Sequence, residues 1–231
     1  MAPADINILS AGAVAPGLKK ISEIFQRETH QRLHLEFATA PTILERLRDS
    51  APIDLVIAPP AVLDDLARSG KISPLRRVLL GRIGVGVMVR ADTPWPPITT
   101  VEELKKSLLD ARSIVFNRAS TGTYLENLFE RLGIAPELER KSIRYPDFAA
   151  VLDHVSHGEN GEIGFGATTV IVENAQRGVT FVGTLPAEIQ NYTAYEAAVV
   201  QNGVANAAAG HFIEYLGSPP AKSALKQAGI V

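Results

Sequence analysis

The chain repeatedly runs an apolar segment into a turn of small residues and then into a helical pattern. Near the start Ile6-Asn7-Ile8-Leu9 leads into Ser10-Ala11-Gly12-Ala13. The device recurs at Phe37-Ala38-Thr39-Ala40-Pro41-Thr42 and at Asn117-Arg118-Ala119-Ser120-Thr121-Gly122-Thr123. Strands separated by helices pair in parallel, because each crossover carries the chain back to the starting edge. The first N–H groups of a helix have no partner inside it, and the helix dipole favours negative charge there. Three such turns predict a protein that takes up a small anion.

Periodicity fills in the elements. Leu18, Ile21 and Phe25 are spaced as a helix face, and Leu33, Leu35 and Phe37 alternate as a half-buried strand. Further strands are predicted at Asp54–Ala58, Gly81–Val89, Ser113–Phe116, Glu162–Phe165, Val179–Val182 and Tyr195–Val200. Helices are predicted over Val62–Leu66, Thr100–Leu109, Tyr124–Leu132, Phe148–Val155 and Thr168–Gln176, then from Ala205 to Leu216 and Pro220 to Ala228. Thr100 and Glu103 have the spacing of a capping box. The order is α/β, with mostly parallel sheets, helices on both faces and two linking strands. The glycine-bearing strand near Gly84 and the segment Ala197–Val200 mark the crossings. They divide the chain into lobe one (1–83 and 198–231) and lobe two (84–197), with the ligand expected between the lobes at the carboxyl ends of the strands.

Composition narrows the function classes. The 231 residues carry 23 basic and 25 acidic side chains, well mixed, for a net charge of −2, and no basic stripe suggests nucleic acid. Cysteine is absent, which removes disulfides and thiolate metal sites. No apolar stretch approaches the roughly 20 residues that span a bilayer. Ala2-Pro3-Ala4 has the small-x-small form of a signal-peptidase site, so a periplasmic location is expected if a leader was removed and a cytoplasmic one otherwise. His154 and His157 are spaced i, i+3, but no third ligand stands nearby. His30, His34 and His211 have structural roles by default, and no metal or other cofactor is expected. Phosphate-loop, GxGxxG, HExxH and Ser-His-Asp patterns do not occur.

The opening Ile-Leu-Ser-Ala-Gly-Ala-Val resembles the first strand and turn of molybdate-type periplasmic binding proteins. Phe37-Ala38-Thr39-Ala40 is similar to their second turn, and Ala51-Pro52-Ile53-Asp54-Leu55-Val56-Ile57-Ala58 to their third strand. Gly161–Gly166, Tyr195 leading into Ala198-Val199-Val200, and the C-terminal helices continue the resemblance over nearly the whole chain. It implies a type II periplasmic-binding fold that closes on its ligand by hinge motion, working as a monomer beside the membrane subunits of an ABC-type importer. The ligand positions depart from the family. Its first-turn serine falls on Ala13, its second on Ala40, and the aspartate after the third strand is replaced by Pro59-Pro60. A site built to hydrogen-bond loses much when a partner is missing. The expected ligand is therefore an organic carboxylate or an oxyanion larger than molybdate.

The candidate binding residues are Ser10, Ala11, Gly12, Ala13, Thr39 and Ala40 in the first two turns. Arg118, Ser120, Thr121, Gly122, Thr123 and Tyr124 follow in the third, with Gly164, Phe165 and Tyr195 beyond it. Arg118 can grip a carboxylate bidentately. Each has a bland role too: Ser10 and Thr39 as helix caps, the glycines as packing positions, Arg118 as half of an ion pair, Tyr195 as core. The alternative to an importer's binding protein is a cofactor-independent isomerase of unsaturated carboxylates, aconitate-isomerase-like, on the same fold. It needs a base, for which Glu162, Tyr124 and Tyr195 are the candidates, and Arg118 to hold the developing charge.

Overall fold

The protein is described from a computed structural model covering residues 5–49, 52–201 and 207–231. Ala2-Pro3-Ala4 and Ala205, where a helix was expected to begin, lie outside the described residues. In chain order the elements are β1 (Ile6–Ala11), α1 (Ala15–Thr29), β2 (Leu33–Ala38), α2 (Ala40–Arg48), β3 (Leu55–Ala58), α3 (Pro60–Arg68) and β4 (Ile72–Arg90). Next come α4 (Val101–Asp110), β5 (Ser113–Asn117), α5 (Ser120–Arg131), α6 (Ala135–Glu139), β6 (Ser142–Tyr145), α7 (Phe148–His157), β7 (Glu162–Ala167) and α8 (Thr168–Glu173). The chain ends with β8 (Val179–Thr184), β9 (Tyr192–Val200), α9 (Ala207–Leu216) and α10 (Pro219–Gln227).

These elements form two compact units. One comprises Met1–Ile83 with Thr193–Val231, the other Gly84–Tyr192. The chain leaves the first unit inside β4, between Ile83 and Gly84. It returns at Thr193, ahead of the expected boundary at Ala198, because the body of β9 belongs to the first sheet: Glu196 pairs with Ala58 and Ala197 with Ile57. Tyr195 therefore sits in the first unit rather than the second.

In the first unit β1 pairs in parallel with β2 and with β3, while β9 runs antiparallel to β3. Its core includes Ile8, Leu9, Leu18, Ile21, Phe25, Leu55 and Ile57, all essentially sealed from solvent. Each such side chain contributes about 1.5–3 kcal/mol of burial. The C-terminal helices cover α1. Phe25 meets the rings of Phe212 and Tyr215 edge-on at centroid distances of 4.9 and 5.0 Å. Gly17 lets α10 and the residues after it come close, since a Cβ there would lie 3.1 Å from Leu225 Cδ2 and 2.9 Å from Ile230 Cδ1.

In the second unit β5 pairs in parallel with β6 and β7, and β4 runs antiparallel to both β7 and β8. Each sheet thus has a parallel centre and antiparallel strands where the chain enters or leaves. One face is packed by α4 and α5 through Leu104, Leu108, Leu125 and Phe129 against Phe116 of β5. The other is packed by α7 and α8 through Val151, Leu152, Val155 and Ile171 against Met88 and Val115. β4 is far longer than the expected Gly81–Val89, and α6 and β6 occupy a stretch in which no element was expected. β6 is only four residues long, with every side chain half-buried, so no alternation announces it.

Candidate ligand-binding site

The third small-residue turn is the best-built feature of the second unit. β5 ends at Asn117, whose side-chain Oδ1 accepts the Ala119 N–H at 3.2 Å and folds the chain toward α5. The Arg118 N–H donates to the carbonyl of Tyr145, at the end of the neighbouring β6, at 2.9 Å. Ala119 is the extended residue before α5 and offers no side-chain cap. Its carbonyl accepts the Thr123 N–H at 3.1 Å. The amides of Ser120, Thr121 and Gly122 are left without an acceptor among the described residues. Gly122 is what lets the helix begin so close to the strand, for a Cβ there would lie 1.8 Å from the Asn117 carbonyl oxygen.

Side chains around these amides are equally uncommitted. The hydroxyls of Ser120 and Thr121 make no hydrogen bond with the described residues, and Ser120 is exposed. The Arg118 guanidinium is exposed and has no ion pair among them either. Its neighbours are taken: Arg144 pairs with Glu126, and Arg131 donates to the Tyr124 hydroxyl at 3.2 Å. Thr123 bonds back to Ala119 at 3.5 Å within the helix, and the Tyr124 hydroxyl donates to the Ile189 carbonyl. One turn therefore brings together a free cation, two free hydroxyls and three free amides. Such a set has the donors to match an anion carrying several oxygen atoms.

In the first unit Ala11 and Ala38 stand side by side in the parallel register, which brings the first two turns to one edge of the sheet. Gly12 and Ala13 form a short 3-10 turn before α1, and Ala40 begins α2 after the extended Thr39. Thr39 does not cap α2; its hydroxyl lies 3.1 Å from that of Thr42. Ser10 does not reach this edge as a donor. It is fully buried, with its hydroxyl on the carbonyl of Ala11 at 3.1 Å. Tyr195 is 5% exposed and belongs to the core.

Phe165 lies in the buried centre of β7. Gly164 beside it is a packing position, where a Cβ would meet Val155 at 2.8 Å and Met88 at 2.9 Å. Glu162 stands at the amino end of β7, the opposite end of the strand from the helix-starting turns. No sequence pattern singles out the pair Arg77 on β4 and Glu196 on β9, 3.6 Å apart, with Arg77 also 2.7 Å from Asp64. Glu196 lies opposite Ala58, where β3 ends and α3 is about to begin.

Residues 6–231 match the family model described as bacterial extracellular solute-binding protein. The chain belongs to this family. Solved structures agree on the fold. The periplasmic molybdate-binding protein of Azotobacter vinelandii superposes with a TM-score of 0.82 at 18% identity, covering 98% of this chain and 99% of that one. PEB3 bound to L-phospholactate gives a TM-score of 0.76 at 15% identity, covering 97% and 98%; PEB3 comes from Campylobacter jejuni. Among curated proteins, an aconitate isomerase from a Pseudomonas species is 28% identical over 97% of this chain and 87% of its own length. Members of the family bind a small solute, and among the described residues no helix is long and apolar enough to cross a membrane.

Proposed function

We propose that this family member is the periplasmic receptor of an ABC-type importer for a small organic carboxylate. The observation that carries the proposal is the guanidinium of Arg118, unpaired among the described residues, beside the three amides that open α5 without an acceptor among them. A guanidinium offers two parallel N–H groups, which a carboxylate accepts bidentately. The first unit supports the same choice, since Ala13 and Ala40 bring no hydroxyl to its turns. Calorimetric titration with di- and tricarboxylates and with molybdate tests it. Arg118→Ala should weaken carboxylate binding roughly 10- to 100-fold, as expected for losing a charge-assisted hydrogen bond worth about 1.5–3 kcal/mol. Sub-micromolar binding of molybdate, or an unchanged affinity in Arg118→Ala, overturns the reading.

A second reading is favoured by the aconitate isomerase relative. On it the bound carboxylate undergoes a 1,3 proton shift: a base removes a proton from the carbon beside the double bond, and the proton returns at the far end of the allylic unit. The sequence candidates for that base are poorly suited. The Tyr124 hydroxyl is committed to Ile189, Tyr195 is buried and Glu162 is at the amino end of β7. Glu196, 3.6 Å from Arg77 and opposite Ala58 at the end of β3, is the carboxylate to test in this role. Proton NMR of cis- and trans-aconitate incubated with the protein separates the readings. Interconversion that Glu196→Gln abolishes supports the isomerase, and tight binding without interconversion supports the receptor.

A further inference from the structure

Apart from the Arg118 turn, the second unit holds a chain of hydrogen bonds that neither reading uses. Tyr145 Oη lies 2.8 Å from His154 Nδ1, and His154 Nε2 lies 3.2 Å from Glu162 Oε1. The Ser113 hydroxyl donates to the same Glu162 oxygen at 3.0 Å. The four residues come from β6, α7, β7 and β5, so tertiary packing assembles them. The Glu162 side chain is 9% exposed, and its second oxygen is buried with no hydrogen-bond partner. Gly158 leaves the room for that oxygen, because a Cβ there would lie 1.9 Å from it.

The direction of each bond follows from proton counting. Ser113 spends its one hydroxyl proton on Glu162, which leaves the carboxylate as an acceptor. Facing that acceptor, His154 Nε2 carries a hydrogen. When the imidazole is neutral it has a single N–H, so Nδ1 is then bare and takes the Tyr145 hydroxyl proton as its hydrogen bond. Hydroxyl, imidazole and carboxylate stand in the order that activates a side-chain oxygen as a nucleophile. Tyr145 is half-buried on β6, the outermost strand of its sheet, and the His154 side chain is 21% exposed.

We infer that Tyr145 is a nucleophilic hydroxyl, served by His154 and Glu162, that accepts activated acyl groups covalently. In the step, Tyr145 Oη attacks the acyl carbonyl carbon while its proton passes to His154 Nδ1. The bond from the carbonyl carbon to the leaving group then breaks, and His154 returns the proton to that group. The product is an ester on Tyr145, with the imidazole neutral again. Glu162 steadies the imidazolium between the two transfers.

N-acetylimidazole applied to the intact protein, with acetylated tyrosines quantified by peptide mass spectrometry, tests this. Tyr192, 50% exposed, is the internal reference. Tyr145 should be acetylated at least about tenfold faster than Tyr192, and His154→Ala should bring Tyr145 to the Tyr192 rate or below while leaving Tyr192 unchanged. Equal rates in the wild-type protein, or a Tyr145 rate indifferent to His154→Ala, overturn the inference. Should that variant fail to fold, nitrogen-15 NMR of the wild-type imidazoles decides instead: neutral His154 must carry its hydrogen on Nε2, and a hydrogen on Nδ1 refutes the relay.

Discussion

A Cβ on Gly122 would sit 1.8 Å from a backbone carbonyl oxygen that cannot move aside, whereas one on Gly12 would meet nothing within 4 Å. The two glycines open equivalent turns, yet their substitution should differ sharply. Gly122→Ala should cost about 3 kcal/mol in urea denaturation, as forced overpacking does. Gly12→Ala should stay within about 0.5 kcal/mol of wild type; equal effects would refute the packing account. Tyr215 offers a test of a different kind. Burial, aided by the Glu28 carboxylate, raises its phenol above the ordinary value, so the unfolded chain ionises first as pH rises. Its contribution to stability is complete below about pH 10 and is lost as pH climbs through the raised folded value. Thermal melts between pH 8 and 11 should fall less steeply for Tyr215→Phe than for wild type. At this scale the sequence named the Arg118 turn by its hydroxyls and its glycine. It could not tell that Ser10 and Tyr195 are buried, because a single small or aromatic residue in a strand reads the same on either side of a sheet.

The start of α4 was the most legible helix end, whereas Thr39 caps no helix. The Thr100–Glu103 capping box is present in full, with the Thr100 hydroxyl accepting the Glu103 N–H at 3.1 Å and the Glu103 carboxylate accepting the Thr100 N–H at 3.3 Å. Thr100→Ala should lower stability by about 1 kcal/mol, and Thr100→Ser should restore it; a thermal shift assay reads both. Such motifs are local, so four residues suffice to find them. β6 and the packing of α7 are not. β6 exists because Ile143 and Tyr145 line up beside Val115 and Asn117, and α7 settles onto β7 because Gly166 leaves space for the Phe148 ring. The length of β4 was hidden for the same reason, since its partners come from distant parts of the chain.

For the molecule as a whole, ligand binding should register as stability. If a carboxylate binds only the folded chain, a concentration 100 times Kd adds about 2.7 kcal/mol. Calorimetric melts should show an upward shift with a tricarboxylate and none with molybdate, and the reverse order would contradict the proposed ligand class. The alternation of apolar runs, small-residue turns and helical stripes determined by itself that this chain is an α/β protein, and it located the turn where α5 begins. Those features rest on contacts within a dozen residues, where periodicity and backbone sterics decide. Tertiary structure alone decided that β9 joins the first sheet from Thr193 onward, that Arg77 holds Glu196, and that Tyr145, His154, Glu162 and Ser113 share one hydrogen-bonded chain. Such juxtapositions depend on strand register and helix docking across tens of residues, and no local pattern records them.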